Sequence, residues 1–297
     1  MLFERHPVLI RGAGEHASAI AWHLHLAGFP VVMTELPQPL AIRREVAFSR
    51  ALRSGAWTVE DVTARLCCEP LKIDSSGAPG DRPPADVDAT TAAAVRDAWD
   101  AGEIALVIDP GLALLPHLEI FAIVDARMQK TASQAIRGHA PFTLAIGPGI
   151  EAGEQVDVVV ETERGHDLGR IIRQGRAAHD TSIPGEIAGE TINRVYFAPA
   201  DGRFWAHVEI GQLVRKGDLL GVVEGDGEPR TVVTQIAGRV RGLLADGATI
   251  TAGTKLADVD PRGETIDPAT LSDKGRTIAA GVLTALLEAL GAADDKR

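Results

Sequence analysis

Arg11-Gly12-Ala13-Gly14-Glu15-His16-Ala17 has the spacing G-x-G-x-x-A and follows an apolar run at residues 8–10. Glycines there permit a tight turn. They also let a pyrophosphate approach the start of the next helix, where free N–H groups point outward. Glu35 stands 23 residues after Gly12, at the end of the next apolar run, where a carboxylate accepts from a ribose 2′-OH. Arg11, Gly12, Gly14 and Glu35 are therefore candidate binding residues for a dinucleotide such as NAD(P). The same glycines would also serve plain helix–strand packing.

Other clusters could bind or react. Arg43 and Arg44 follow Glu35 by eight and nine residues, and their guanidinium forks suit a phosphate or oxyanion. Gly147-Pro148-Gly149 closes an apolar run, so Gly147 and Gly149 are candidates at a strand's C-terminal end, the ligand-binding side of a doubly wound sheet. Residues 161–170 form the densest polar stretch. His166 and Asp167 offer acid–base groups there, flanked by Arg164 and Arg170 as anion donors. Asp125, Arg127 and Lys130 sit at another strand end and would contribute to the same cleft or to ion pairing. Cys67 and Cys68 could form a redox or sulfur-handling pair, but a disulfide between sequence neighbours is strained and buried free cysteine is common, so plain buried thiols are the expectation. The nine histidines show no metal-binding spacing, so no metal site is expected.

These residues need elements to hold them. Strand, Gly-rich turn, helix (15–27) and strand (30–34) open a doubly wound sheet, with Gly28 ending the helix. An arginine-rich helix is expected at 39–54, an exposed loop at 74–88 and a helix at 90–101. Apolar runs at 104–108, 120–124, 142–146 and 156–160 read as strands buried on both faces of a parallel sheet. After residue 191 the chain turns β-rich and repeats itself. Gly202 to Gly217 and Gly238 to Gly253 have equal spacing and matching apolar neighbours, the mark of a duplication. A final helix is expected at 273–290, capped by Ser272. The expected fold class is α/β. Residues 1–190 form a Rossmann-like, mostly parallel sheet domain. Residues 191–265 form a small all-β domain similar to a barrel-sandwich hybrid, and residues 266–297 a C-terminal helix packing on the first domain.

The chain has 297 residues, with 30 basic against 41 acidic side chains and a formal charge of −11. That balance argues against a nucleic-acid polymer or an anionic membrane surface as partner. The polar N-terminal stretch lacks a secretory core, and no apolar run approaches the 18 residues of a membrane span, so a cytoplasmic protein is expected.

Several segments occur together and in order: Arg11-Gly12-Ala13-Gly14, Thr34-Glu35-Leu36-Pro37-Gln38-Pro39 with Arg43-Arg44, Gly147-Pro148-Gly149, Arg164-Gly165-His166-Asp167-Leu168-Gly169-Arg170 and Asp260-Pro261-Arg262-Gly263. In this combination the chain resembles the selenium-dependent molybdenum hydroxylase system protein family. It departs from it at the Gly-rich loop, where Ala13 and Glu15-His16 replace a Gly and an Asp-Leu. The resemblance implies an accessory or maturation factor for a molybdenum hydroxylase of the xanthine dehydrogenase type. Such a factor would bind a nucleotide or the molybdenum cofactor, for example a molybdopterin dinucleotide, and would have the hydroxylase as client. A homo-oligomer is compatible with it. The β-rich part resembles biotinyl and lipoyl carriers, but residues 223–230 hold no carrier lysine. Two further readings stand beside this one: an NAD(P)-dependent oxidoreductase and a non-catalytic scaffold.

Overall fold

The computed structural model describes residues 3–68, 86–130, 133–180 and 184–294. Its first part runs β1 (Val8–Arg11), α1 (Glu15–Ala27), β2 (Val31–Glu35), α2 (Ala51–Ser54), β3 (Ala56–Val59), β4 (Val62–Leu66), α3 (Ala89–Asp100), β5 (Ile104–Ile108), β6 (Ala122–Asp125), β7 (Phe142–Ile146), β8 (Val158–Val160) and β9 (Ile171–Ile172). These strands make one nine-stranded sheet in the order β3-β4-β5-β2-β1-β6-β7-β8-β9. Successive strand residues face opposite layers. Val8, Ile10, Val31 and Met33 pack under α1 and the C-terminal helix, while Leu9 and Val32 pack with α3. Both faces are covered, which explains the unbroken apolar runs. The strand order reverses between β1 and β6, so the crevice beyond their C-terminal ends is the topological switch point.

The second part holds β10 (Val195–Phe197), β11 (Gly202–Ala206), β12 (Leu213–Val214), β13 (Leu219–Glu224), β14 (Arg230–Val233), β15 (Gly238–Leu243), β16 (Ala248–Ile250) and β17 (Lys255–Asp260), followed by α4 (Asp273–Asp294). The repeat is visible in the pairing. β11 pairs with β13 of its own half and β16 of the other, while β15 pairs with β17 of its own half and β12 of the other. Each half thus lends its middle strand to its twin. The duplicated glycines do equivalent work. A Cβ on Gly202 would overlap the Glu224 carbonyl, and one on Gly238 the Asp260 carbonyl. Gly238→Ala is expected to cost about 1–3 kcal/mol through overpacking. Gly253→Ala meets open space and pays only for its left-handed backbone (φ 82°), about 1–2 kcal/mol. Denaturant midpoints of the two variants check this order.

The structure corrects the expected fold class. The large sheet is mixed, because β3, paired antiparallel with β4, and the short β9, paired antiparallel with β8, form its two edges. The β-rich part is two four-stranded antiparallel sheets, β10-β17-β15-β12 and β14-β13-β11-β16, and no closed barrel-sandwich forms. The helix expected at 39–54 is broken into two 3₁₀ turns and the four-residue α2. Most of the loop expected at 74–88 lies outside the described residues, although Asp88 caps α3 by accepting from the Thr90 and Thr91 N–H groups. Ser272 caps α4 as expected, its Oγ accepting from the Gly275 N–H at 3.1 Å. Over Asp273–Ala292, α4 is long and apolar enough to cross a membrane. Its buried Ile278, Ala279, Val282, Ala285 and Leu286 instead join the core beneath the sheet.

Candidate functional site

Four loops leave the C-terminal ends of β1, β6, β7 and β8. The first becomes the start of α1, where Gly14 occupies the N-cap without a capping side chain. The second carries Met128, whose φ of 51° is unusual for a residue with a Cβ, and then Lys130. The third is Gly147-Pro148. The fourth runs from Glu161 to Arg164. Glu161 is buried and accepts from the Thr162, Glu163 and Ala178 N–H groups at 2.6–2.7 Å, which fixes that loop against the segment before Asp180.

Above these loops, the sheet and the β-rich part form the walls of a half-open cavity of about 520 Å³. Seven basic side chains line it: Arg43, Lys130, Arg164, Arg194, Arg241, Lys255 and Lys274. Three carboxylates oppose them, Glu15, Asp180 and Asp258, so the cavity carries an excess of four positive charges in a chain of net charge −11. The N-terminal ends of α1 (Glu15, His16) and α4 (Ser272, Lys274) also open onto it, adding the positive ends of two helix dipoles.

Some of these charges are already answered. Arg43, almost wholly buried, donates from Nη1 to Glu15 at 3.1 Å and from Nη2 to the Thr270 carbonyl at 3.3 Å, while its buried Nε has no partner. Arg164 pairs with Asp273 through both terminal nitrogens, at 2.6 and 2.9 Å. Arg194 and Arg241 share buried Asp258, at 2.6 and 2.5 Å. Lys130 reaches Asp180 at 2.7 Å. The ammonium groups of Lys255 and Lys274 have neither an ion pair nor a hydrogen bond among the described residues. Burial lowers the pKa of both ammonium groups; around Lys255 the attraction of Asp258 opposes this, and around Lys274 the nearby Arg164 adds to it.

The first turn of α1 sets a pH response. Burial alone would raise the Glu15 carboxyl, but Arg43, His16 and the Ser272 hydroxyl outweigh it and hold the group at about 2. Burial pushes the His16 imidazole down to about 4, with Glu15 opposing. His16 is therefore neutral in the fold and charged once unfolded below its ordinary pKa of 6.5. Its contribution is whole above pH 6.5 and is lost as pH falls toward 4, by roughly 3 kcal/mol. That of Glu15 is lost lower, from its ordinary 4.5 toward 2. His16→Asn is expected to flatten the fall in thermal midpoint between pH 6.5 and 4, compared with the unsubstituted chain.

Only some of the residues singled out from sequence meet at this cavity. Arg43 and Arg164 line it. Arg11 is buried beneath, 3.3 Å from Asp125. Gly12 (φ 97°) lies under the Arg127 side chain. Glu35 accepts from the Ala13 N–H at 2.7 Å and the Leu36 N–H at 2.8 Å, and burial raises its pKa. One N–H of the turn is thus already bonded, and the Arg127 side chain packs against Gly12. This is the physical obstacle to the dinucleotide and oxidoreductase readings. Arg44 docks the β-rich part, its Nε donating to the Leu243 carbonyl at 2.7 Å. Gly147 (φ 85°) faces Met128 and Thr162, and Gly149 is buried with its carbonyl bound by the Ser133 N–H. His166 and Asp167 sit exposed at the tip of the turn joining β8 to β9, where Arg170 pairs with Asp167 at 3.1 Å. Neither lines the cavity. Cys67 is buried, which pushes its thiol up to about 11. No cluster able to hold a metal ion occurs among the described residues.

No family model matches the chain. A curated relative, the uncharacterized protein YqeB of Escherichia coli (strain K12), is 41% identical over 280 residues, covering 94% of this chain and 47% of the relative. The chain thus spans about half the length of the curated relative it matches. Among solved structures, the ectoine utilization protein EutE (DoeB) of Ruegeria pomeroyi aligns over 86% of both chains at 15% identity and a TM-score of 0.25. A succinylglutamate desuccinylase/aspartoacylase of Rhodobacter sphaeroides aligns over 85% of both at 14% identity and a TM-score of 0.26. Scores this low carry no argument about the reaction here. The expected kinship with the molybdenum hydroxylase family is nonetheless corrected. No family model supports it, and the curated relative is described only as uncharacterized. The maturation role, the molybdenum cofactor and selenium fall with it.

Proposed function

We propose that this chain binds a small polyanion, a molecule bearing phosphate or several carboxylate groups, in the cavity between the mixed sheet and the β-rich part. The observation that carries this reading is the excess of positive charge around one cavity, with the Lys255 and Lys274 ammonium groups in no ion pair among the described residues. Clustered cations that repel one another cost stability, and a bound anion offsets that cost. Position supports it too, because open sheets of this kind take ligands beyond the carboxyl ends of the strands at the switch point.

Calorimetric titration with pyrophosphate and with citrate tests it. Saturable one-site binding that weakens as salt rises from 20 to about 300 mM is expected, since screening acts on charges that still face solvent. No heat from either ligand at millimolar concentration and low salt would overturn the reading.

A further inference from the structure

A second cavity of about 460 Å³ adjoins the first and shares Lys130, Arg164, Asp180, Pro184, Gly185 and Lys274 with it. Its character differs. Its remaining wall brings Met128, Pro148 and Ala178 together, with Glu163 and Glu186 among the polar groups. Three cations (Lys130, Arg164, Lys274) balance three carboxylates (Glu163, Asp180, Glu186), so this chamber has no net charge, whereas its neighbour has an excess of four. An apolar wall with a few convergent polar groups is the usual lining of a site for an organic ligand. Methionine, unbranched and polarizable, adapts to a flat partner, and Met128 is held here by a left-handed backbone.

Resting on the polyanion reading, we infer that the ligand has two parts: an anionic head, such as a phosphate monoester, in the basic chamber, and an uncharged ring or chain in the second. Lys274 and Arg164, common to both chambers, hold the junction between head and body. A free inorganic anion would fill only the first chamber and leave the apolar wall wet.

Titrating the full chain with methyl phosphate and with 1-naphthyl phosphate separates the two claims. The heads are alike and only the body differs. Naphthyl phosphate is expected to bind at least tenfold more tightly. Ala178→Trp, which fills the second chamber, is expected to shrink that ratio to below threefold, with circular dichroism confirming that the variant is folded. Equal affinity of the two probes for the unsubstituted chain overturns the two-part ligand and leaves the polyanion reading standing. Binding of neither, together with failure of pyrophosphate and citrate, overturns both. An undiminished preference in a folded Ala178→Trp variant also overturns the inference, because the body would then lie elsewhere.

Discussion

Replacing Lys255 and Lys274 together by Gln is expected to lower pyrophosphate affinity by a hundredfold or more while raising the thermal midpoint of the ligand-free chain. Each ammonium would supply charge-assisted hydrogen bonds to a bound anion, worth about 1.5–3 kcal/mol apiece. Two of them amount to at least two decades in affinity at about 1.4 kcal/mol per decade. The opposite sign for stability comes from the same geometry. Neither ammonium has an ion pair to lose among the described residues; desolvation disfavours both charges, and Arg164 repels Lys274 as Arg194 and Arg241 repel Lys255, against the attraction of Asp258, Glu15 and Asp180. Gln keeps most of the stem's packing and removes the charge. Binding sites commonly trade stability for function in this way. Calorimetry and thermal melts of one preparation read both effects. Unchanged affinity with a lowered midpoint would show the lysines to be structural and would remove the polyanion reading.

The frame of this cavity was legible in the sequence; most of its charges were not. The strand–Gly turn–helix unit announced β1 and α1 because its periodicity and its glycines are local signals. The apolar runs announced β5 to β8 for the same reason. The short edge pairs were missed: β3–β4 turns on Glu60, whose φ is 53° in spite of its side chain, and β9 is only two residues long. Two of the residues singled out from sequence lie away from the cavity. His166 and Asp167 are dense in chemistry, but the Gly169 N–H bonds back to the Glu161 carbonyl and turns them into a solvent-exposed tip. Arg194, Arg241, Lys255 and Lys274 come from segments far along the chain, and their convergence depends on how two sheets meet, which no local pattern encodes. One signal was available. At the offset that carries Gly202 onto Gly238, Trp205 becomes Arg241, Leu219 becomes Lys255 and Val222 becomes Asp258. The second copy acquires charge where the first is apolar, and in the structure those three substituted positions line the cavity.

Asp258 is where stability and binding meet. Asp258→Asn is expected to cost about 3–5 kcal/mol, the loss typical when one member of a buried ion pair is removed and its partner's charge is left uncompensated. Both of its oxygens are committed, Oδ1 to Arg194 and Oδ2 to Arg241. Arg194 also donates to the Gly185 carbonyl, at 2.9 Å from Nη2, so the carboxylate steadies one wall of the cavity through that arginine. Removing the charge with its partner should hurt less. In Arg194→Met combined with Asp258→Leu, apolar volume replaces one buried pair, and Arg241 keeps Asp260 at 3.6 Å. The double variant is therefore expected to be more stable than Asp258→Leu alone, a non-additivity that denaturant melts of the two single variants and the double would show. Asp258→Asn also makes a prediction about the ligand. With Asp258 neutral, the cavity holds five excess positive charges in place of four, so a bound polyanion relieves more repulsion than before. Saturating pyrophosphate should then raise the thermal midpoint of Asp258→Asn by more than it raises that of the unsubstituted chain. A purely structural Asp258, in a cavity that takes no anion, would leave both midpoints where they were.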